Sequence, residues 1–244
     1  MTEKNSQQHQ LDMQLPKGHF ELMFDEQRCP NLSKQQFSAS GYATAQSIAG
    51  RGGRGSAWFV DTPAGPAVLK HYRRGGWAAK LTAKHYLYLG RLRTRGIQEF
   101  LLLSYMHERG LPVPAPLAAF SVRNFGFYQA ALLTMRIENA RSLTDTLRNH
   151  TAPWTIVGKT LARFHALSIK HADLNANNIL ISDNGNIFFI DWDKGEIDTR
   201  NHKWFDKVLS RLIRSLRKES IAEDKTYLEA GIQQMINAYK EAMP

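Results

Sequence analysis

The sequence is poor in cysteine: Cys29 is the only one among 244 residues. A single cysteine excludes an intramolecular disulfide framework and a cysteine-rich zinc site. Long apolar runs are also missing, and the longest, such as residues 100–106, are too short to span a bilayer. The polar amino terminus lacks the apolar stretch of a secretory signal. We therefore expect a soluble or peripheral protein in a reducing compartment.

Acidic residues are absent from residues 62–98, in a chain whose formal net charge is +10. Aromatic residues, Trp77 among them, are interleaved with the basic residues of this stretch. Such a region attracts nucleic acid, anionic lipid or a phosphorylated substrate, the alternative being a solvated basic face without a partner. The basic residues are Lys70, Arg73, Arg74, Lys80, Lys84, Arg91, Arg93 and Arg95.

The hydrophobic pattern changes near residue 136, and no internal repeat is present. Before that point "SAWFV", "AVLKHY" and "FGFYQAALLTM" predict strands, and residues 78–109 are helix-compatible but interrupted at Gly90 and Gly96. After it, Ser142 and Asp145 form a capping-box pattern, and "DNGN" predicts a hairpin turn. We predict an α+β protein with a flexible tail (1–17), a β-rich N-lobe (18–135) and a small, mainly helical C-lobe (136–244), with a cleft between the lobes.

Four glycines in "GRGGRG" are candidates for phosphate binding: Gly50, Gly52, Gly53 and Gly55. Three of them follow G-x-G-x-x-G, in which glycine lets backbone N–H groups approach phosphate oxygens without a side-chain clash. A dinucleotide-binding fold would place a helix directly after the glycines. A strand-forming stretch follows here instead, which favours a β-hairpin over phosphates; a merely flexible loop is the alternative.

Lys70 ends the stretch "AVLK" in a predicted strand. This matches the V-A-I-K stretch of protein kinases, whose lysine pairs with the α- and β-phosphates of the nucleotide. Such a lysine needs a carboxylate to hold it. Glu99 is the first acid downstream and therefore the expected partner, with Glu108 as the alternative.

Asp173, Asn178 and Asp191 follow the spacing of a kinase active site. "HADLNANN" has His, Asp and Asn at the offsets of the catalytic loop H-R-D-L-x-x-x-N, and Asp191 closes a strand where the D-F-G aspartate would lie. We predict Asp173 as the residue that accepts or orients the acceptor hydroxyl, with Asn178 and Asp191 holding Mg²⁺ at the phosphates of ATP. His171 is expected to be structural, through a hydrogen bond to backbone near Asp191.

Several departures from the protein-kinase pattern point away from a protein acceptor. Ala172 and Asn175 replace an arginine and a lysine that are common in the loop, and "DWD" replaces D-F-G. The added Asp193 is open to three roles: a metal contact, a salt bridge or a solvent-exposed carboxylate. Only 53 residues follow Asp191, without an A-P-E motif, which leaves little room for a peptide-binding lobe.

Residues 47–193 resemble the lipopolysaccharide kinase branch of the protein-kinase-like superfamily, in particular kinases of 3-deoxy-D-manno-octulosonic acid (Kdo). The stretches that carry the resemblance are "GRGGRGSAWFV", "AVLKHYRRGGW", "RGIQEF", "GLPVPAP" and "HADLNANNILI" with "FFIDWD". The resemblance implies a bilobal protein-kinase-like fold. It also implies ATP- and Mg²⁺-dependent phosphorylation of a Kdo sugar on a lipid A precursor, at the cytoplasmic face of the bacterial inner membrane.

The basic stretch fits this implication, because such an acceptor and its membrane are both anionic. Arg73 and Arg74 are candidates for binding acid groups of the substrate, and Trp77 for a position at headgroup level. Arg211, Arg214 and neighbouring basic residues of a predicted helix would extend this surface or form an ordinary solvated face.

Two other functions compete with this prediction. One is a kinase for another glycan, such as a core heptose or a small sugar; the other is a non-catalytic basic binding module. A specific nucleic acid and an obligate protein partner are not expected.

Overall fold

The computed structural model describes residues 18–48, 57–72, 86–200, 202–220 and 225–244. The candidate phosphate-binding glycines Gly50, Gly52, Gly53 and Gly55 lie outside the described residues, as do Arg73, Arg74 and Trp77 and the predicted tail 1–17.

The described elements confirm the α+β prediction of a β-rich first part and a mainly helical second part. The strands are β1 (His19–Phe24), β2 (Gln46–Ser47), β3 (Ala57–Thr62), β4 (Gly65–His71), β5 (Tyr86–Leu87), β6 (Pro116–Asn124), β7 (Phe127–Met135), β8 (Ala140–Ser142), β9 (Ile169–Lys170), β10 (Ile179–Ser182), β11 (Ile187–Phe189) and β12 (Glu196–Ile197). The helices are α1 (Arg95–Glu108), α2 (Leu143–Arg148), α3 (Trp154–Ala166), α4 (Lys203–Glu219) and α5 (Lys225–Ala242). In the part of the chain that is described, no helix is both long and apolar enough to cross a membrane.

An antiparallel sheet of order β1-β6-β7-β4-β3-β2, with β5 paired to β7, forms the first unit. Alternation along β4 buries Ala67, Leu69 and His71 on one face, where they join a core that includes Phe120. Because neighbouring side chains in a strand point to opposite faces, Lys70 lies on the other face.

Helix α1 begins in this first unit and packs closely on the sheet. A Cβ atom at Gly96 would lie only 2.9 Å from the carbonyl oxygen of Ala131 in β7, so glycine permits the close approach. The prediction that Gly96 interrupts the helix is wrong, since it lies in the first turn of α1. Gly90 does lie at a break, with a φ of 113° just before a short 3₁₀ turn.

In the second unit, α3 packs against α5. The unit also contains three pairings between short strands: β8 with β10, β10 with β11, and β9 with β12. Ser142 caps α2 through the predicted capping box with Asp145. The predicted hairpin joins β10 to β11, and the turn uses Gly185 at a φ of 77°. Phe164 of α3 stacks on Phe189 of β11 with ring centroids 4.9 Å apart, which anchors the hairpin on the helix.

The two compact units divide the chain differently from the predicted lobes. The first extends to Leu101 and includes Ala115–Arg136; the second comprises Leu102–Pro114 and Ile137–Pro244. Residues 102–114 join the second unit through contacts that are distant in sequence. The Pro112 carbonyl accepts from the Phe189 N–H (2.9 Å), and the Gly110 carbonyl accepts from the Arg163 guanidinium (2.7 Å).

Candidate active site

Lys70 and Glu99 form an ion pair in the first unit. Lys70 Nζ lies 3.0 Å from Oε2 and 3.2 Å from Oε1 of Glu99, whose side chain is only 3% exposed. A buried carboxylate is stable only when it is paired and hydrogen-bonded, so this contact fixes the lysine. The prediction that Glu99, rather than Glu108, is the partner of Lys70 is confirmed as a contact, while its role toward a nucleotide stays a prediction.

Tyr72 also contacts both residues of this ion pair, which the sequence did not predict. Its hydroxyl donates to Glu99 Oε2 at 2.6 Å, and Lys70 Nζ lies 5.0 Å from the centre of its ring. Residues two apart in a strand share a face, so the position of Tyr72 relative to Lys70 is the signal that could have found it. Tyr72 and Lys70 both bind Glu99 Oε2, so the tyrosine hydroxyl helps to fix the carboxylate that holds the lysine.

His171 links the two chain segments that carry the candidate catalytic residues in the second unit. Its Nδ1 accepts from the backbone N–H of Asp173 (3.1 Å), which makes Nε2 the protonated nitrogen. Nε2–H donates to the carbonyl of Ile190 (3.0 Å), the residue before Asp191. The predicted structural role of His171 is confirmed, and the ring is buried against Trp192.

Asparagine side chains shape the loop around Asp173. Asn175 and Asn178 both donate Nδ2–H to the Asp173 carbonyl at 3.0 Å. Because the amide nitrogen of Asn178 is used in this way, its Oδ1 is the atom directed away from that carbonyl. The loop therefore presents an amide oxygen of Asn178 rather than its nitrogen to a cation.

Asp191 is brought to Asn178 by strand pairing. The N–H of Ile190 donates to the Asn178 carbonyl at 2.9 Å, directly beyond the paired residues Ile179 and Phe189. Asp191 itself has a φ of 61°, in the left-handed region that is uncommon outside glycine. This turns the backbone away from the strand direction two residues past the end of β11. Such strained positions are concentrated at functional sites.

Arg211 of α4 contacts the candidate base directly. Its Nη1 lies 2.9 Å from Asp173 Oδ1 and also donates to the Ala172 carbonyl at 2.7 Å. Asp173 remains accessible, with a side chain that is 71% exposed. Arg211 therefore brings a positive charge to a loop that has neither of the two basic residues common in protein kinases.

The predicted basic face of α4 is divided by these contacts. Arg217, six residues beyond Arg211, forms a two-pronged ion pair with Glu229 of α5 at 2.7 and 2.8 Å. Its role is thus to join two helices, whereas Arg211, on the same helix, contacts the loop of Asp173. No local pattern in the sequence separates the two arginines, because each contact depends on a distant segment.

Asn178 and Asp191 fit a divalent cation of the magnesium type. Mg²⁺ prefers hard oxygen ligands and is commonly held by one or two carboxylates together with substrate phosphates and water. Within the described ranges, no group of three or more His, Cys, Asp or Glu side chains is arranged as a metal cage. One carboxylate and one amide oxygen match a cation that is shared with phosphates.

A lysine held by a buried glutamate, an aspartate in an H-x-D-x-x-x-x-N loop and a second aspartate after a hairpin define a kinase-type phosphotransferase. The profile of the lipopolysaccharide kinase (Kdo/WaaP) family matches residues 42–239. The chain belongs to this family. Kinases use ATP, generally with a divalent metal, so the predictions of a phosphotransferase and of ATP as its substrate agree with the assignment.

Relatives named 3-deoxy-D-manno-octulosonic acid kinase match most of the chain. One from Stenotrophomonas maltophilia is 45% identical over 81% of this chain and 80% of its own. One from Xanthomonas campestris pv. campestris is 40% identical over 93% and 92%, respectively. A solved structure of a divergent Toxoplasma kinase that lacks the glycine-rich loop aligns with 73% of this chain and 63% of its own, at 12% identity and a TM-score of 0.40. At that TM-score it adds nothing to the assignment.

Proposed function

We propose that the protein transfers the γ-phosphoryl group of ATP, with Mg²⁺, to a Kdo hydroxyl on a lipid A precursor during lipopolysaccharide inner-core biosynthesis. The observation that carries the proposal is the hydrogen-bonded arrangement of His171, Asp173, Asn178 and Ile190, which places Asp191 beside the loop in a chain of the Kdo/WaaP family. The relatives named as Kdo kinases, 40–45% identical, support Kdo as the acceptor sugar.

Asp173 acts on the acceptor hydroxyl. The hydroxyl oxygen forms a bond to the γ-phosphorus while the bond from that phosphorus to the β,γ-bridging oxygen breaks, and ADP leaves. Asp173 Oδ2 is the carboxylate oxygen that remains for the hydroxyl proton, because Oδ1 receives Arg211. A base within hydrogen-bond reach of that proton contributes about 10²–10⁴-fold to such a reaction.

Lys70 and the glycines Gly50, Gly52, Gly53 and Gly55 serve the triphosphate. Lys70 contributes a fixed positive charge for the α- and β-phosphates, and Glu99 keeps the ammonium group in place. Asn178 and Asp191 would hold Mg²⁺, which would neutralise charge on the phosphate oxygens.

Arg211 positions Asp173 and adds charge near the reacting phosphoryl group. A guanidinium is always protonated and presents several donors in a fixed plane, so it can bind Asp173 Oδ1 and the Ala172 carbonyl together. In this proposal it supplies positive charge to a loop in which Ala172 and Asn175 stand where many protein kinases have an arginine and a lysine.

The protein acts at the cytoplasmic face of the inner membrane as a peripheral protein. The acid-free stretch 62–98 and the net charge of +10 support an anionic membrane surface as a partner. Each basic residue close to such a surface contributes about 1 kcal/mol of attraction. Arg73, Arg74 and Trp77 are proposed to contact the substrate or the membrane.

Transfer of labelled γ-phosphate from ATP to a Kdo-bearing lipid A precursor tests the proposal. We expect label in the lipid with the wild type and a loss of at least about 100-fold with Asp173→Ala, because the base is removed. Asp183→Ala is the matched control: Asp183 is an exposed carboxylate of the same unit, in the turn between β10 and β11. Label in a heptose or a free sugar but not in the Kdo lipid would replace the acceptor; wild-type turnover in Asp173→Ala would refute the mechanism.

A further inference from the structure

Exposed apolar side chains are concentrated at the end of the sheet where β6 turns into β7. Nine large hydrophobic side chains are exposed in the described part of the chain; three of them, Leu87, Phe125 and Phe127, lie here, and two more, Leu89 and Leu92, lie in the segment that follows β5. We name these five the apolar tip: Leu87, Leu89, Leu92, Phe125 and Phe127. The most exposed is Phe125, in the turn itself, at 96%.

Strand pairing holds part of the apolar tip together. Leu87 of β5 and Phe127 of β7 are directly opposed, so their side chains are neighbours on one face of the sheet. The N–H of Tyr88 then donates to the Gly126 carbonyl at 2.8 Å, which keeps the segment after β5 against the turn that carries Phe125. The tip is therefore built on the sheet, and its apolar groups are not the ends of a loose loop.

Basic side chains lie around the apolar tip, together with the carboxylate of Glu21, whose Oε1 accepts from the Tyr88 hydroxyl at 2.9 Å. Arg91 and Arg93 are exposed in the 3₁₀ turn that follows Gly90, and Arg123 is exposed in β6. The Arg123 guanidinium lies 5.0 Å from the centre of the Tyr88 ring, and Arg91 Nη2 donates to the Leu22 carbonyl at 3.3 Å. Neither segment that forms the tip contains an acidic residue: Asp and Glu are missing from residues 62–98 and from 109–137.

We infer that the apolar tip inserts into the headgroup region of an anionic lipid bilayer. Amphipathic surfaces that bind membranes combine apolar side chains at the acyl boundary with Lys or Arg at the headgroups, and both parts are present here. The inference rests on the proposed function in one respect: a lipid-linked acceptor lies in a bilayer, so the enzyme must reach that surface.

The charge pattern favours a bilayer over a second copy of the chain. A self-complementary interface would bring Arg91, Arg93 and Arg123 against the same arginines, and the nearby acid Glu21 is partly buried and already accepts a hydrogen bond from Tyr88. A bilayer that contains anionic lipid supplies negative charge over the whole area around the tip. Phe125, within the turn between β6 and β7, reaches into such a surface without a preformed pocket.

Co-sedimentation with vesicles tests the inference without any catalytic step. The wild type is expected to bind phosphatidylethanolamine vesicles that contain phosphatidylglycerol, and to bind phosphatidylcholine vesicles much more weakly. The double variant Phe125→Ser with Leu89→Ser should bind the anionic vesicles at least about tenfold more weakly, because two exposed apolar groups are lost. Ile156→Ser is the matched control, since Ile156 is 48% exposed on α3 of the other unit.

The remaining measurements decide the outcome. The variant that combines Arg91→Gln with Arg93→Gln should lose part of the salt-sensitive binding to vesicles. Unchanged melting temperatures should show that the variants fold. The Phe125→Ser, Leu89→Ser variant should still transfer phosphate to an acceptor dispersed in detergent micelles. A failure of the proposed function would appear separately, because the wild type itself would then show no transfer. Equal vesicle binding by wild type and double variant would overturn the inference, as would a wild-type dimer that the variant no longer forms.

Discussion

At the scale of single residues, Arg211 shows how a function can lie beyond a motif. The loop "HADLNANN" identifies Asp173 and Asn178 from spacing alone, and the pairing of Lys70 with Glu99 follows from the scarcity of acids before residue 99. Arg211 is 38 residues from Asp173 and reaches it only because α4 packs beside the loop. No pattern within the sequence reports such a contact.

Replacing Arg211 by alanine should lower kcat by about 10- to 100-fold, because the reacting geometry of Asp173 is no longer held. The KM for ATP should stay near that of the wild type, and Arg211→Lys should restore part of the rate by returning one donor. Steady-state kinetics with the Kdo lipid acceptor measures both constants. Arg214→Ala, an exposed arginine on the same helix, is the control; equal kcat values for the two alanine variants would contradict the role.

At the scale of elements, the packing of α3 on α5 supports the loop that begins after β9. Gly158 allows the two helices to touch, since a Cβ atom there would lie 2.2 Å from the backbone carbonyl oxygen of Met235. The helical periodicity of α3 can be predicted from the sequence, but the partner that approaches Gly158 cannot, because it comes from a segment over 70 residues away.

Gly158→Ala should lower the free energy of unfolding by at least about 2 kcal/mol, because backbone atoms must move to admit the methyl group. In an unobstructed helix the same change would raise it by about 1 kcal/mol. Chemical denaturation compares this variant with Lys159→Ala, an exposed position next to it. A Gly158→Ala protein as stable as the wild type would show that α3 and α5 are farther apart than described.

His165, in the same helix pair, should make stability depend on pH. Burial lowers the pKa of its imidazole from 6.5 to about 3, and Nδ1 lies 2.7 Å from the Tyr239 hydroxyl. Between these pKa values the unfolded chain binds the additional proton, so the free energy of unfolding falls as the pH falls below 6.5. From pH 7 to pH 5 the loss should be about 2 kcal/mol.

His165→Gln should remove this contribution, because glutamine does not titrate and can still hydrogen-bond Tyr239. Urea denaturation at pH 7 and pH 5 measures the difference between the two proteins. The same fall in stability in wild type and variant would assign the pH dependence to other groups.

At the scale of the whole molecule, the sequence predicts the class of fold and the order of the motifs, but not the division into units. Residues 102–114 follow a helix that starts on the sheet, and proximity along the chain favours placing them with it. In the structure the carbonyls of Gly110 and Pro112 accept hydrogen bonds from Arg163 and Phe189, and such long-range contacts leave no periodic signal. The pairing of β9 with β12 is missed for the same reason, since each strand has only two residues.

His171 uses both nitrogens of one rigid ring, the first for the Asp173 N–H and the second for the carbonyl before Asp191. The ring therefore works as a fixed spacer, and the distance between the backbones of Asp173, the proposed base, and Asp191, the proposed metal ligand, is set by the size of an imidazole. The order of these two segments is acquired when the chain folds and does not have to be created again in each catalytic cycle. With a longer or more flexible side chain at this position, the two segments would have to be ordered again in every turnover.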